Sequence, residues 1–227
     1  MKILHFPAFI SILFFAFSHE PIHDVTVYEN NTMGIKLFDS VAIDNDYVRI
    51  MSNSTACSKA HTAGFGTRII VALERIKIVG SKGTMEIERG NVAVFTADQS
   101  YETPKGAYFE VGIKSNHPPV QSPDKWIEPL KNSVVYEDDQ IRIFEERLAP
   151  GDTRELHSHA QRVVVRLNNV QLTDPRTKPN GSPGGGIQVP NTVKFAEPVV
   201  HVVKNLSKDT PLFNVVIEFK IPSEKQR

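Results

Sequence analysis

The feature that most constrains this chain is that it repeats itself. Ser40-Val-Ala-Ile-Asp-Asn-Asp-Tyr-Val-Arg49-Ile50 recurs as Ser133-Val-Val-Tyr-Glu-Asp-Asp-Gln-Ile-Arg142-Ile143, 93 residues further on. Arg68-Ile-Ile-Val-Ala-Leu73 recurs as Arg162-Val-Val-Val-Arg-Leu167, at a spacing of 94. Phe109-Glu-Val-Gly-Ile113 then matches Phe213-Asn-Val-Val-Ile217 at a spacing of 104. Three matches in one order argue for an internal duplication. The surplus of the second copy falls in Thr173 to Pro190, which contains Pro-Asn-Gly-Ser-Pro-Gly-Gly-Gly. A duplicated chain of 227 residues makes two units of about 100 residues each.

Each copy reads as β. Val134-Val-Tyr136, Ile141 to Phe144, Val163 to Leu167 and Phe213 to Phe219 are β-branched or aromatic runs. Turn chemistry bounds them at Lys82-Gly83, Arg89-Gly90-Asn91 and Pro150-Gly151-Asp152. No segment carries a sustained helical period with caps, although Trp126 to Lys131 has room for one turn. The expected fold is all-β, two tandem jelly-roll barrels formed by the duplication. The first barrel is expected over 19–115 and the second over 129–227. The Pro-stiffened stretch 116–128 links them, short enough that the copies pack together.

The chain opens with a different composition. Lys2 is followed by a run from Ile3 to Phe17 that only His5, Pro7 and Ser11 interrupt. Ala16-Phe17-Ser18 then offers small residues at the −3 and −1 positions of a cut before His19. A positive start, an apolar middle and a small-x-small end describe a signal peptide over 1–18. The run is shorter than the roughly 20 residues that a membrane-spanning helix needs. The expectation is export to a periplasmic or extracellular space, with no stable membrane insertion after cleavage. Asn30, Asn53, Asn180 and Asn205 head glycosylation sequons, and the single cysteine, Cys57, reads as a small apolar residue.

Charge excludes one class of partner. Twenty-six Lys and Arg balance 26 Asp and Glu, so the basic excess of a nucleic-acid binder is missing. One cysteine excludes a disulfide framework and a Cys-rich zinc module. The chemistry concentrates instead in Gly151-Asp-Thr-Arg-Glu-Leu-His157-Ser-His159. Residues i and i+2 of a strand share a face, so both imidazoles enter one interior. His201 follows in a second strand-like segment, Pro198-Val-Val-His-Val-Val-Lys-Asn205. Three imidazoles can hold a divalent metal ion (Fe, Mn, Ni, Cu or Zn) and leave positions open for substrate or water. Gln161, of the same strand parity, is a candidate fourth ligand. Arg162 and Arg166 have the opposite parity and are expected to face outward, and Glu155 and Glu197 read as solvated turn residues.

Gly-x5-His-x-His followed by Pro-x2-His-x3-Asn resembles the two motifs of the cupin superfamily, and the repeat then looks like a bicupin. The resemblance implies small jelly-roll barrels with a divalent metal at the open end of the second. There His157, His159 and His201 match three of the family's ligands. The family's glutamate has no counterpart, since Val163 and Val164 stand in its place. In the first copy Ala63 and Phe65 fall where the histidine pair belongs. Aligning Phe95 with Phe195 sets Tyr101 opposite His201. His61 is the one histidine nearby. That copy therefore reads as a degenerate, closed barrel lined by Ala63, Phe65 and Tyr101.

Two functions follow. One is an exported bicupin with a single metal site, acting on a small molecule as a dioxygenase, isomerase or hydrolase. Three neutral imidazoles leave the charge of a divalent ion uncompensated, so its ligand is expected to be anionic. The other is a non-catalytic small-molecule-binding or structural cupin without metal. A homodimer is compatible with both, because edge strands of small jelly rolls pair.

Overall fold

The computed structural model describes residues 40–53, 65–128, 132–177 and 183–221. The expected signal peptide, Asn30, Cys57, His61, Ala63 and Asn180 lie outside the described residues. Among those residues every regular element is a strand, and none is a helix long and apolar enough to cross a membrane.

The N-terminal half contains β1 (Ser40–Asp44), β2 (Val48–Asn53), β3 (Phe65–Ala72), β4 (Ile76–Gly80), β5 (Gly83–Ile87), β6 (Val92–Thr96) and β7 (Tyr108–Lys114). The C-terminal half contains β8 (Asn132–Glu137), β9 (Ile141–Leu148), β10 (Thr153–His159), β11 (Arg162–Arg166) and β12 (Val170–Thr177). It continues with β13 (Pro183–Gln188), β14 (Thr192–Ala196), β15 (Val199–Asn205) and β16 (Leu212–Phe219). Five strands of the first half form an antiparallel sheet in the order β1-β2-β7-β3-β6. Five strands of the second follow the order β8-β9-β16-β11-β14, the same order strand for strand. A second sheet, β10-β15-β12-β13, closes the C-terminal half, and the hairpin β4-β5 is the counterpart of β12-β13.

Strand pairing gives the register of the repeat independently of sequence. Arg49 and Arg68 both lie opposite Gly112, while Arg142 and Arg162 both lie opposite Glu218. Gly112 therefore corresponds to Glu218, which sets Phe109 against Val215 and not against Phe213. The match at a spacing of 104 is two residues out of register. A slip of two keeps every side chain on its face, so the apolar pattern could not reveal it. The alignment of Phe95 with Phe195 fails more seriously. Phe95 lies opposite Arg68 but Phe195 lies opposite Val163, so the two rings face opposite sides of their sheets.

One face of each five-stranded sheet is apolar, and the two apolar faces meet. Ile50, Ile69, Val71, Phe109 and Val111 belong to the same continuous core as Ile143, Val163, Val165, Val215 and Ile217. Tyr47 stacks on Phe195 at 5.4 Å and meets Phe219 edge-on at 5.6 Å. Gly90, at φ 82°, brings the turn before β6 so close that a Cβ there would lie 2.6 Å from the ring of Phe213. Each fully buried aliphatic side chain contributes about 1.5–3 kcal/mol, so the joint between the halves is a principal source of stability. The segment between β7 and β8 lies against the C-terminal half. Ile127 N–H donates to Ser158 Oγ (2.8 Å) and Gln121 N–H to Gln161 Oε1 (2.9 Å).

Candidate metal centre

The strand that carries the histidine pair is fixed at both ends. Gly151, at φ 79°, turns the chain out of β9. Its N–H donates to Asn205 O, and Asn205 N–H returns a bond to Asp152 O, both at 3.0 Å. The buried Asn205 side chain donates to Leu148 O (3.1 Å) and Thr210 O (2.9 Å) and accepts from Ser207 N–H (3.0 Å). Asn205 thus stitches three connections around the start of β10 and leaves the imidazoles untouched.

Pairing with β15 then brings the ligands together. His157 lies directly opposite His201, and His159 two places along opposite Val199. The ring centroids are 4.6 Å apart for His157 and His201, 4.8 Å for His157 and His159, and 5.5 Å for His159 and His201. One nitrogen from each ring lies within 4.8 Å of the other two. Nitrogens that share one ion at about 2.1 Å lie closer together than this, so the three rings draw in toward one another to hold one.

The donor set fits a metal ion. The buried Nδ1–H of His157 donates to Glu155 O at 2.6 Å, which fixes the tautomer and leaves the lone pair on Nε2. That Nε2 is buried and makes no hydrogen bond. His159 Nδ1 faces Glu218 Oε2 at 3.4 Å, and its ring stacks on Phe144 at 5.9 Å. Burial pushes the pKa of all three imidazoles below the ordinary histidine range, for His201 to about 3. All three are therefore neutral near pH 7, the form that binds metal.

The remaining sequence candidates are placed elsewhere. Gln161 is buried, but its amide oxygen accepts from Gln121 N–H and its amide donates to Glu197 Oε2 at 3.2 Å. It is not directed to the imidazoles, because the chain leaves β10 at His159 and enters the other sheet at Arg162, so strand parity does not carry across. The same crossing overturns the outward placement of Arg162 and Arg166. Arg162 is buried and donates to Ala160 O (3.0 Å) and Glu197 O (2.8 Å). Arg166 is half-buried and lines the interior. Glu155 and Glu197 are exposed, as expected, although Glu155 belongs to β10 and not to a turn.

Sequence reasoning missed three buried charges. Glu218 accepts from Ala160 N–H at 2.6 Å. Burial raises its pKa to about 7, against the pull of that N–H and of Arg162, Arg142 and Arg154. Glu146 pairs with Arg154 at 2.5 Å and accepts from Asn214 Nδ2 at 2.7 Å. Burial opposes its ionisation, yet Arg154 and these contacts hold its pKa at about 2. Arg154 is hidden from parity reasoning by a β-bulge. Arg154 opposes Val203 while His157 opposes His201, so β10 carries one extra residue and both side chains point inward. The signal for Glu218 was a lone acid inside Leu-Phe-Asn-Val-Val-Ile-Glu-Phe.

Beside His201 lies an open cavity of ≈ 460 Å³, lined among others by Arg162, Arg166, Gln188, Lys194 and Glu197. Among the described residues of the N-terminal half, side chains occupy the corresponding space. Tyr101 is buried as expected, with Phe95 at 4.2 Å and the Arg68 guanidinium 4.9 Å over its ring. A cavity of ≈ 10 Å³ lies beside Phe95.

Comparison with solved structures shows that the all-β double-sheet fold is that of cupin barrels. A cupin 2 conserved barrel domain protein from Leptotrichia buccalis is 12% identical, with a TM-score of 0.54 over 84% of this chain and 92% of its own. AerE from Microcystis aeruginosa is 10% identical over 79% of this chain and 90% of its own, with a TM-score of 0.49. Oxalate decarboxylase of Bacillus subtilis, which has Mn(II) centres, is 12% identical over 75% of this chain and 68% of its own, with a TM-score of 0.43. No family model matches the chain, and no curated protein matches its sequence. The chain has the cupin-superfamily fold and a histidine triad that could bind a metal.

Proposed function

We propose that this protein is an exported metalloprotein of the cupin type in which His157, His159 and His201 hold one divalent ion that acts on a small anionic molecule. The observation that carries the reading is the buried, unbonded Nε2 of His157, turned into the triad by the bond from its Nδ1–H to Glu155 O. A buried nitrogen lone pair with no donor costs roughly 1–3 kcal/mol, and coordination removes that cost. A bound ion supplies Lewis acidity and a lowered pKa for water and, if it is Fe or Mn, sites for dioxygen beside substrate.

The chain's own residues set what enters. The three imidazoles are neutral, Glu146 is paired with Arg154 and Glu218 lies between Arg142 and Arg162, so the interior offers the ion little compensating charge. Arg162, Arg166 and Lys194 on the cavity wall reinforce the preference for an anion. Glu218 stands behind His159 and holds the ring in place; such outer carboxylates orient a ligand imidazole and raise its basicity. The export part of the reading rests on residues 1–18, and the secreted protein is expected to start at His19.

Metal analysis of purified protein tests the reading. Wild type is expected to carry about one ion per chain after loading, and His157→Ala to lose it while keeping its β-sheet circular dichroism. Wild-type protein that retains no Zn(II), Mn(II) or Fe(II) after dialysis would leave the alternative of a metal-free binding cupin.

A further inference from the structure

We propose that Arg166 is an anion anchor on the wall of the cavity that His201 also lines, which makes the chamber a site for a small dicarboxylate with one carboxylate on the ion and the other on Arg166. The metal end rests on the function proposed above; the Arg166 end stands on geometry of its own.

Glu146, Asn214 and Arg166 form one row across three strands on the inner face of the sheet. The first two members are engaged. Glu146 is bonded to Arg154 and Asn214, and Asn214 also accepts from Gln188 Nε2 at 3.1 Å. Arg166 is not: among the described residues its guanidinium has no hydrogen bond or ion pair, and its Nε is buried. The other interior arginines differ. Arg154 has Glu146, Arg162 has two carbonyls, and Arg142 has Glu128 at 2.9 Å. Burial alone acts on the Arg166 pKa, downward, so no nearby carboxylate offsets its desolvation.

A half-buried guanidinium without an anion is a costly arrangement that an anionic ligand relieves. The planar fork of Arg matches the two oxygens of a carboxylate. Arg166 and His201 line the same ≈ 460 Å³ cavity, which lies within the roughly 300–1,000 Å³ typical of small-molecule sites. Glu197 is the acid on that lining; it is exposed and already accepts from Gln161. A ligand reaching both Arg166 and the triad therefore carries two anionic ends, and a monocarboxylate satisfies one of them.

Calorimetric titration of acetate, succinate and inorganic phosphate into Zn(II)-loaded and metal-free protein tests this. Wild type is expected to bind succinate at least tenfold more tightly than acetate. Arg166→Gln should remove that advantage and Arg166→Lys keep part of it, with Zn(II) affinity and thermal unfolding unchanged in both. If Zn(II) binds but succinate shows no advantage, or the advantage survives in Arg166→Gln, the anchor is wrong and the metal centre stands. If Zn(II) does not bind but succinate binding still falls tenfold in Arg166→Gln, the metal reading fails and the anchor stands. Arg166-dependent binding of phosphate without succinate would overturn the dicarboxylate class.

Discussion

Across three neighbouring strands of the C-terminal sheet, Glu218 lies between Arg142 and Arg162; in the N-terminal sheet Gly112 lies between Arg49 and Arg68. The flanking arginines are retained and the central carboxylate is not. Behind Glu218 stands His159, at 3.4 Å. At the corresponding place in the first half stands Phe65, so near Gly112 that a Cβ on the glycine would lie 2.8 Å from the ring. A histidine held by a glutamate in one half is a phenylalanine lying on a glycine in the other. The two changes belong together, since the ring fits only where the side chain is missing. Around them the described N-terminal interior packs Phe95, Tyr101 and Arg68 together, while the C-terminal interior holds a chamber lined by several charged side chains. One sheet topology thus supports a packed core or a polar site, according to what its inner face carries. Arg68 marks the transition. It is buried, donates to Gln99 O and lies over Tyr101, yet its Nε and Nη1 have no hydrogen-bond partner among the described residues.

The largest expected effect comes from breaking the buried pair that the first half lacks. Glu146→Ala leaves Arg154 uncompensated in the interior, and such a loss costs about 3–5 kcal/mol. Denaturant unfolding should show it, with no comparable effect from Asn53→Ala, which holds the same register position in the first half. The pH dependence has a fixed sign. The folded pKa of Glu146 is about 2, below the model-peptide value of 4.5, so its contribution is fully present above pH 4.5. It is lost as pH falls through 2. In Glu146→Gln that part of the acid dependence should disappear; an unchanged acid limb would mean that the pair contributes nothing.

How much of this was legible follows from which periodicities survive folding. The strands and the inward histidine pair came from local β patterning and an i, i+2 spacing, and both hold within one strand. What failed depended on crossing a strand boundary or an irregularity. Gln161, Arg162 and Arg166 were misplaced because the chain changes sheets between His159 and Arg162. Arg154 was hidden by a bulge that inverts parity inside β10. Glu218 was missed because the acid was sought a few residues beyond the histidines, whereas pairing of β16 with β11 supplies it 59 positions later. No local rule reports such a partner.

A second prediction sharpens the contrast at Glu218. Glu218→Gln keeps an oxygen to accept from Ala160 N–H but removes the charge behind His159. Metal affinity should fall about 10–100-fold, short of the complete loss expected for His157→Ala, as measured by competition with a chelating dye. Equal losses in the two variants would make Glu218 a ligand and not a residue that positions one. An unchanged affinity would remove it from the site.

The smallest effect tests whether Phe65 and Gly112 are one substitution in two places. Gly112→Ala places a methyl group 2.8 Å from the Phe65 ring, which overpacks the inner face and should cost about 1–2 kcal/mol. Phe65→Leu alone loses ring contacts and destabilises as well. In the double variant the smaller side chain makes room for the methyl group, so the two costs should add to less than their sum. The interaction energy in a double-mutant cycle is expected to be at least about 0.5 kcal/mol. His159 and Glu218 are coupled instead by a polar contact, so that a change at Glu218 takes the acceptor from His159 Nδ1. Additive costs at Phe65 and Gly112 would mean that the two halves lost and kept their polar centre by separate routes.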